Sequence, residues 1–112
     1  MQRGEVWQAD IPYAPGHAQA GLRPAVIVQA DPFLTTLPTV LIVPLTGSLG
    51  ANRFPGTLLV QPDGRNGLTI PSVALVFQLR SLDTQFCLRR LGVLDPTTLD
   101  QIFAELDKLT GR

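Results

Sequence analysis

The sequence predicts a small, mainly β fold, in which short strands form a barrel and one amphipathic helix follows at the C-terminus. Ten prolines and ten glycines interrupt short apolar runs along 112 residues, a pattern typical of many short strands joined by turns. Near the C-terminus the spacing of apolar residues changes to that of a helix. The length and a hydrophobic fraction of 45% suffice for a buried core, so we expect one domain over residues 1–112.

Each predicted strand depends on its own local pattern. Glu5–Ile11 alternates between apolar and polar residues, which predicts a half-buried strand with Trp7 in the core. Arg23–Ala30 is a nearly continuous apolar run, which predicts a central strand. The other extended segments are expected at Thr39–Leu45, Thr57–Gln61, Ser72–Phe77 with a continuation through Gln78–Leu82, and Leu88–Val93.

Proline, glycine and aspartate predict the connections between these strands. Pro12–Leu22 is expected to be a long loop with a turn at Pro15-Gly16. Asp31 is expected to cap a helical turn, because Pro32 suits the first helical position. The remaining connections are a polar loop at Gly47–Gly56 and a turn at Pro62-Asp63-Gly64.

The C-terminal segment predicts a helix that packs on the barrel. Asp95-Pro96 is a typical helix start, with Asp95 as the cap, and Gly111 is a natural stop. One apolar face is expected from Leu99, Ile102, Phe103, Leu106 and Leu109.

Composition excludes several classes of protein. The longest apolar stretches are too short to span a bilayer, and no apolar signal segment follows the N-terminus, so we expect a cytoplasmic protein without a membrane partner. One cysteine excludes an internal disulfide, and one cysteine with one histidine makes a conventional metal site unexpected. Cys87 lies between apolar residues, which favours a buried, inert thiol.

Charge gives a second constraint. The net charge is zero, which argues against a strongly basic nucleic-acid-binding domain. Eight of the nine basic residues are arginine, whose planar guanidinium suits phosphate and base edges, so one groove can still concentrate positive charge. We expect Arg89, Arg90 and Arg112 to be ordinary surface arginines.

The segment from Gly16 to Pro24 carries the main candidate site. It contains the only histidine, and Pro24 keeps the backbone of Arg23 extended at the start of a buried strand. A charged side chain mounted rigidly at a strand end suits an anion such as RNA phosphate. The alternative is a surface arginine paired with Asp10 or Asp31.

Thr46 ends the third predicted strand. Its hydroxyl can donate to a phosphate oxygen or hold a water, and Gly47 would allow a ligand to approach closely. The alternative is a hydroxyl that caps a turn. If the strands of Arg23 and Thr46 are antiparallel neighbours, we expect the two residues to lie apart; parallel strands or a bent barrel would bring them together.

Four further residues are candidates. His17 is the only imidazole of the chain, a group that suits general acid–base catalysis, unless it is only a solvated loop residue. Gln78 and Arg80 are expected on one strand face, where Gln78 would read a base edge and Arg80 would contact a second phosphate or pair with Asp83. Phe54, in a polar loop, is the best candidate for stacking on a base.

Five blocks of the chain, in order, resemble the MazF/PemK/Kid toxins of toxin–antitoxin pairs. The similarity covers nearly the whole chain and ends in the amphipathic helix, and five blocks in register are specific. They are Arg3-Gly4-Glu5-Val6-Trp7, Gly21-Leu22-Arg23-Pro24-Ala25-Val26-Ile27-Val28, Val43-Pro44-Leu45-Thr46, Ser72-Val73 and Gln78-Leu79-Arg80-Ser81-Leu82-Asp83.

The resemblance implies an SH3-like barrel that acts as a homodimer. It implies a metal-independent endoribonuclease without a cofactor, which cuts single-stranded RNA, usually mRNA, at short sequences. The ribose 2′-hydroxyl attacks, leaving a 2′,3′-cyclic phosphate and a 5′-hydroxyl. A cognate antitoxin would occupy the RNA groove, and the toxin–antitoxin complex would bind DNA.

The resemblance also assigns roles to residues. The arginine of the Arg-Pro step and the threonine that closes the third strand form the catalytic pair of the family, and here these are Arg23 and Thr46. The RNA-binding positions are expected at Gln19, Gly21, Ser48, Phe54, Gln78 and Arg80.

Two positions depart from the family pattern. Ala18 stands where many members have glutamate, and Phe77 stands where an acidic residue commonly precedes the Gln-x-Arg segment. Since acidic bases are missing, we hypothesise that His17, which matches a histidine of the Kid branch, transfers the proton. The alternatives are a non-catalytic toxin of the same fold that binds a protein such as gyrase, and a degenerate toxin.

Overall fold

Seven strands and one α-helix make up the part of the chain that the computed structural model describes, residues 1–13 and 16–112. Ala14 and Pro15 lie outside the described residues, so the turn predicted at Pro15-Gly16 is not described. The elements are β1 (Glu5–Ile11), β2 (Gly21–Ile27), β3 (Thr39–Thr46), β4 (Thr57–Val60), β5 (Ser72–Leu75), β6 (Arg80–Asp83), β7 (Cys87–Val93) and α1 (Pro96–Thr110).

The strands form one antiparallel sheet with the order β4-β5-β3-β2-β1-β7, and β3 is its centre. One edge of β3 pairs with β2, whereas the other edge pairs first with β6, through Thr39–Ile42, and then with β5, through Leu45 and Thr46. Within the described residues no pairing joins β4 to β7, so the barrel-like sheet stays open. The prediction of a small, mainly β, barrel-like fold with a C-terminal helix is confirmed.

Two hydrophobic clusters lie on opposite faces of β2 and β3. Val26 and Val43 belong to the first cluster, and Ile27 and Ile42 belong to the second, because successive side chains of a strand point to opposite faces. Helix α1 covers the first cluster. Its apolar face packs as predicted through Leu99, Ile102, Phe103 and Leu106, while Leu109 at its end is half-exposed.

The prediction of an extended chain through Ser72–Phe77 and Gln78–Leu82 is partly wrong. Strand β5 ends at Leu75, and a 3-10 helix at Val76–Gln78 separates it from β6. This turn is needed because β5 and β6 pair with consecutive parts of the same edge of β3. Gln78 and Arg80 therefore do not share a strand face.

The predicted helix caps have mixed outcomes. Asp31 is not a cap: it is the first residue of the 3-10 helix Asp31–Phe33, and its carboxylate accepts a hydrogen bond from the backbone N–H of Arg3 at 2.7 Å. Asp95 occupies the N-cap position of α1, but its side chain makes no capping bond. Gly111 ends α1 in the left-handed conformation, with φ of 77°, as predicted.

A buried carboxylate ties β1 to β7. Glu5, only 7% exposed, accepts hydrogen bonds from Trp7 Nε1 at 3.1 Å and from Arg90 Nε at 2.7 Å, so Arg90 is not an ordinary surface arginine. Burial by itself would raise the pKa of Glu5, but the bonds from Trp7, Arg90 and the backbone of Gln2 outweigh it, and the pKa lies below its usual value. Trp7 is half-buried against the second cluster rather than fully buried in it.

The connection between β4 and β5 is anchored to β7 through two glycines. The backbone N–H of Val93 donates to the carbonyl of Arg65 at 3.0 Å. A Cβ at Gly92 would collide with that same carbonyl, and one at Gly67, which has φ of +75°, would collide with the backbone of Leu91. This close approach fixes the residues after Gly67 beside the end of β3.

Candidate active site

Arg23 is mounted near the start of β2, as the sequence predicts. Gly21 opens the strand with φ of +88°, a conformation that favours glycine, and Arg23 lies opposite Ala9 of β1. Its Nε donates to the carbonyl of Ala20 at 2.9 Å. Within the described residues Arg23 forms no ion pair with Asp10 or Asp31, so the alternative of a surface arginine held by an aspartate finds no support.

Arg23 and Thr46 lie at the same end of neighbouring antiparallel strands. The ladder between the two strands runs as far as the pair Ala25–Pro44, and Arg23 and Thr46 each lie two residues beyond that pair at the same end. The expectation that antiparallel neighbours would separate them was wrong, because the start of one antiparallel strand lies beside the end of the next.

The Thr46 side chain is buried, with 4% of the residue exposed. Its Oγ1 accepts a hydrogen bond from the backbone N–H of Ser48 at 3.2 Å, which leaves the hydroxyl hydrogen available to donate elsewhere. The close approach expected at Gly47 exists, but a protein side chain makes it: a Cβ there would lie 2.8 Å from Ile70 Cδ1. Gly47 therefore makes room for Ile70 rather than for a ligand.

A cavity of about 280 Å³, here called the threonine cavity, is lined by Thr46 together with Leu45 and Gly47. Pro24 and Arg89 also line it, and Arg89 is exposed, as expected of a surface arginine. Arg23 is not among its lining residues, because alternation along β2 puts Arg23 and Pro24 on opposite faces. This cavity is therefore not a cleft shared by the predicted catalytic pair.

A second cavity of about 520 Å³, here called the aromatic cavity, brings together four of the predicted residues. Phe54 and Phe77 are 44% and 42% exposed, their ring centroids are 5.9 Å apart, and the rings are inclined by 59°. The guanidinium carbon of Arg53 lies 4.5 Å from the centroid of Phe54. The full lining is His17, Gln19, Ala51, Arg53, Phe54, Phe77 and Gln78.

Gln78 holds the loop of His17 and Gln19 in place. Its Oε1 accepts a hydrogen bond from the backbone N–H of Gln19 at 2.8 Å, and its Nε2 donates to the carbonyl of His17 at 3.1 Å. Each end of the amide makes one bond to this loop, which leaves one N–H and one oxygen lone pair of Gln78 for a further partner. Gln19 Oε1 is buried and has no hydrogen-bond partner in the described residues.

Arg80 and His17 are not brought next to Thr46. Arg80 lies opposite Ile42, on the same sheet face as Thr46 but four residues away along β3, or about 13 Å at the usual rise of a strand. Asp83 accepts a bond from the backbone of Gln85, and no ion pair joins it to Arg80 in the described part of the chain. His17 lines the aromatic cavity and not the threonine cavity.

Other reactive groups are sparse among the described residues. They contain no group of three or more histidine, cysteine or acidic side chains arranged to hold a metal ion. Cys87 is half-buried, and desolvation raises the pKa of its thiol, which lowers the fraction of reactive thiolate. No helix in residues 1–13 and 16–112 is both long and apolar enough to cross a membrane.

Sequence reasoning missed the roles of Arg53, Phe77 and Arg89. Arg53 precedes Phe54 in the chain, and an arginine beside an exposed aromatic residue was the available signal for their contact. At Phe77 the sequence draws attention only to the absence of the acidic residue that is common at this position in the family. Arg89 gave no signal, because its place beside the threonine cavity depends on the pairing of β7 with β1.

Comparisons with known proteins agree with this architecture. A family model described as "PemK-like, MazF-like toxin of type II toxin-antitoxin system" matches residues 2–110. The chain is 30% identical to an endoribonuclease MazF of Staphylococcus saprophyticus over 111 residues, which cover 99% of this chain and 92% of that protein. A crystal structure of MazF from Deinococcus radiodurans has a TM-score of 0.84 at 22% identity, covering 100% of this chain and 97% of that one. A mycobacterial endoribonuclease in complex with its cognate antitoxin has a TM-score of 0.79 at 22% identity, covering 99% and 95%.

Proposed function

This chain belongs to the PemK-like, MazF-like toxin family of type II toxin–antitoxin systems, and from that premise we propose that it is an endoribonuclease that cuts single-stranded RNA. Its substrate is mRNA in the cytoplasm, cut at short sequences, and residues 1–112 act as one toxin domain. What supports the proposal is that β2 and β3 are antiparallel neighbours, so Arg23, near the start of β2, and Thr46, the last residue of β3, lie at the same end of the pair.

The chemistry uses a nucleophile that the substrate supplies. The 2′-oxygen of the ribose forms a bond to phosphorus and the bond from phosphorus to the 5′-oxygen breaks, which gives a 2′,3′-cyclic phosphate and a 5′-hydroxyl. Arg23 stays protonated at ordinary pH, so it stabilises the negative charge of the pentavalent transition state. The Thr46 hydroxyl donates to a non-bridging oxygen. No metal is required, because the guanidinium supplies the positive charge.

Two protons must move in this reaction. One leaves the attacking 2′-hydroxyl, and the other passes from solvent water to the departing 5′-oxygen. His17 is the group in our proposal that accepts the first, since imidazole is the side-chain group best suited to proton transfer near neutral pH. His17 lies in the aromatic cavity rather than beside Thr46, so bound RNA would have to bring the attacking sugar to it.

Membership of the toxin family also suggests which partners this chain binds. The mycobacterial neighbour was solved with its cognate antitoxin, and a Deinococcus radiodurans neighbour was solved as a MazE–MazF complex. These complexes support the proposal that an antitoxin neutralises this chain as well. A homodimer, and DNA binding by the toxin–antitoxin complex, remain predictions.

Incubation of the purified protein with long single-stranded RNA in EDTA tests the proposed activity. Discrete fragments with cyclic phosphate and 5′-hydroxyl ends are expected, and sequencing of those ends gives the cleavage site. Arg23→Lys should lose most of the activity, because the flat, forked guanidinium is lost although the charge is kept. Arg112→Lys, at the exposed C-terminus, is the matched control. Intact RNA after exposure to the wild-type protein would instead favour a non-catalytic toxin that binds a protein target.

A pH profile separates the role of His17 from that of Arg23. Cleavage by His17→Ala should be slower than that of the wild type, and the rise of the rate between about pH 5 and pH 9 should flatten. If the rate and the profile are both unchanged, His17 plays no part in proton transfer.

A further inference from the structure

We propose that Leu109, in the last turn of α1, is a positioning residue for the candidate active site: it holds Gly56, and through Gly56 the loops that carry Phe54 and His17. This role rests on the proposed function, in which His17 accepts a proton from the RNA. Leu109 is 44% exposed, whereas the other four residues of the apolar face of α1 are buried or half-buried against the first cluster. Its main contact therefore lies elsewhere.

The side chain of Leu109 lies directly against the backbone of Gly56. A Cβ at Gly56 would be 2.8 Å from Leu109 Cδ1 and 2.9 Å from Leu109 Cδ2, so no other residue type fits there unless the leucine moves. Gly56 is buried and has φ of +72°, a conformation that favours glycine. Glycine at this position thus permits both the turn into β4 and the close approach of α1.

The end of α1 that carries Leu109 is firmly terminated. Gly111 adopts the left-handed conformation, and its N–H donates to the carbonyl of Lys108 at 3.3 Å. The N–H of Arg112 donates to the carbonyl of Asp107 at 2.7 Å. Because these bonds satisfy carbonyls that a helix end otherwise leaves free, Leu109 is presented from a fixed turn of helix.

Gly56 ends the loop that carries Phe54. Two residues after Phe54 the chain reaches Gly56, and Thr57 then begins β4. Thr57 Oγ1 donates to the carbonyl of Phe54 at 2.7 Å, which fastens the loop to the start of the strand. Leu109 packs on the residue between these two bonded positions, so a displacement of Gly56 would also displace Phe54.

Gly56 is bonded to the 3-10 helix at Val76–Gln78 as well. Its carbonyl accepts a hydrogen bond from the backbone N–H of Phe77 at 3.1 Å. The next residue, Gln78, makes the two bonds that hold the loop of His17. Leu109 is thus connected to His17 by direct contacts, with apolar packing at the first step and hydrogen bonds at the later ones.

Hydrogen exchange tests whether Leu109 holds Gly56. Leu109→Ala removes the packing, so exchange of the Phe77 amide should accelerate by about 3- to 10-fold, the factor for losing a half-buried leucine side chain. Each rate is taken relative to that of the Val26 amide in the centre of the sheet, which corrects for global unfolding. Leu109→Met keeps most of the apolar volume and should restore slow exchange.

Leu99→Ala is the matched control, because it makes the same change at the same kind of contact near the other end of α1. Leu99 packs against Gly4, which has φ of +92°, and a Cβ there would lie 3.2 Å from Leu99 Cδ2. Leu99 is half-buried against the first cluster, so its loss should cost more global stability than that of Leu109. The relative exchange of the Phe77 amide should nevertheless match that of the wild type.

Cleavage kinetics test whether this contact positions the site. At a temperature well below the melting of each variant, kcat/KM of Leu109→Ala for single-stranded RNA should fall by about 10-fold, since small displacements of positioned groups are costly. The loss should appear mainly in kcat, because His17 acts in the chemical step of the proposed function. Leu109→Met and Leu99→Ala should stay within about 2-fold of the wild type, although Leu99→Ala is the less stable protein.

Three results would overturn the proposal. The first is unchanged relative exchange of the Phe77 amide in Leu109→Ala, and the second is faster exchange with unchanged kcat/KM. The third is an equal loss of kcat/KM in Leu99→Ala, which would reduce the effect to stability. Failure of the proposed function has a different signature, because wild-type protein would then leave RNA intact while exchange of the Phe77 amide still reports the contact.

Discussion

Removal of the Gln78 side chain should open the loop that carries His17 and Gln19. Gln78→Ala deletes two hydrogen bonds, at 2.8 and 3.1 Å, both to backbone groups of that loop. A neutral hydrogen bond contributes about 0.5–1.5 kcal/mol, so the closed loop should lose about 1–3 kcal/mol. Its opening equilibrium then shifts by about 5- to 150-fold. The free energy of global unfolding should change much less, because Gln78 is not part of either hydrophobic cluster.

Hydrogen exchange of the Gln19 amide measures this change directly. That N–H donates to Gln78 Oε1, so its exchange in Gln78→Ala should accelerate by the same factor as loop opening. Gln78→Glu separates the two bonds, because a carboxylate still accepts from Gln19 but cannot donate to the carbonyl of His17. Gln19 should then keep more of its protection than in Gln78→Ala.

Gln61→Ala is the matched control, because it makes the same change of glutamine to alanine at an exposed side chain that forms no hydrogen bond in the described residues. If the Gln19 amide exchanges equally fast in the wild type and in Gln78→Ala, the two bonds do not hold the loop, and the reasoning fails.

Three further predictions concern stability. Glu5→Gln should lower the free energy of unfolding by about 2 kcal/mol near neutral pH, because the bonds to the carboxylate are weakened. Since the folded state lowers the pKa of Glu5, the stabilisation by its carboxylate is present above the pKa of the unfolded state and is lost as pH falls through the pKa of the folded state. Urea melts of the variant and the wild type should therefore converge in acid. Ile102→Ala, at a position 1% exposed, should cost about 2–5 kcal/mol in the same assay, and a smaller loss would mean that α1 contributes little to the core. Gly92→Ala should cost about 1–3 kcal/mol, seen as a lower melting temperature, because its Cβ would meet the Arg65 carbonyl. Gly50→Ala is the control, because Gly50 also has no positive φ and a Cβ there would make only an ordinary contact, 3.5 Å from Arg53 Nη1.

The strands could be predicted where burial alone decides the pattern. The limits of β1 were predicted without error and those of β3 to within one residue, because their apolar residues follow one face or one buried run. Those of β7 were also predicted to within one residue, although most of that strand is exposed. The 3-10 helix at Val76–Gln78 could not be predicted, because it depends on β5 and β6 pairing with the same edge of β3. No local pattern encodes that shared partner.

In the candidate site, too, the sequence predicts some features and the fold alone sets others. Arg23 and Thr46 were identified from their own neighbours in sequence, but their convergence requires the register of β2 and β3. The bond between Glu5 and Arg90 joins residues 85 positions apart, and the hold of Gln78 on His17 spans 61. Such contacts are set by topology, so the sequence identified the participants and not their partners.

Gly67 and Gly92 bear on any attempt to transplant specificity between relatives. The stretch from Gly67 to Ile70, which forms one wall of the threonine cavity, follows Arg65 and Asn66, and these two residues can lie against β7 only because position 92 carries no side chain. A graft of that stretch onto another barrel would also require glycine at the position of the recipient strand that corresponds to Gly92. The two positions, although 25 residues apart in sequence, form one transferable unit for protein engineering.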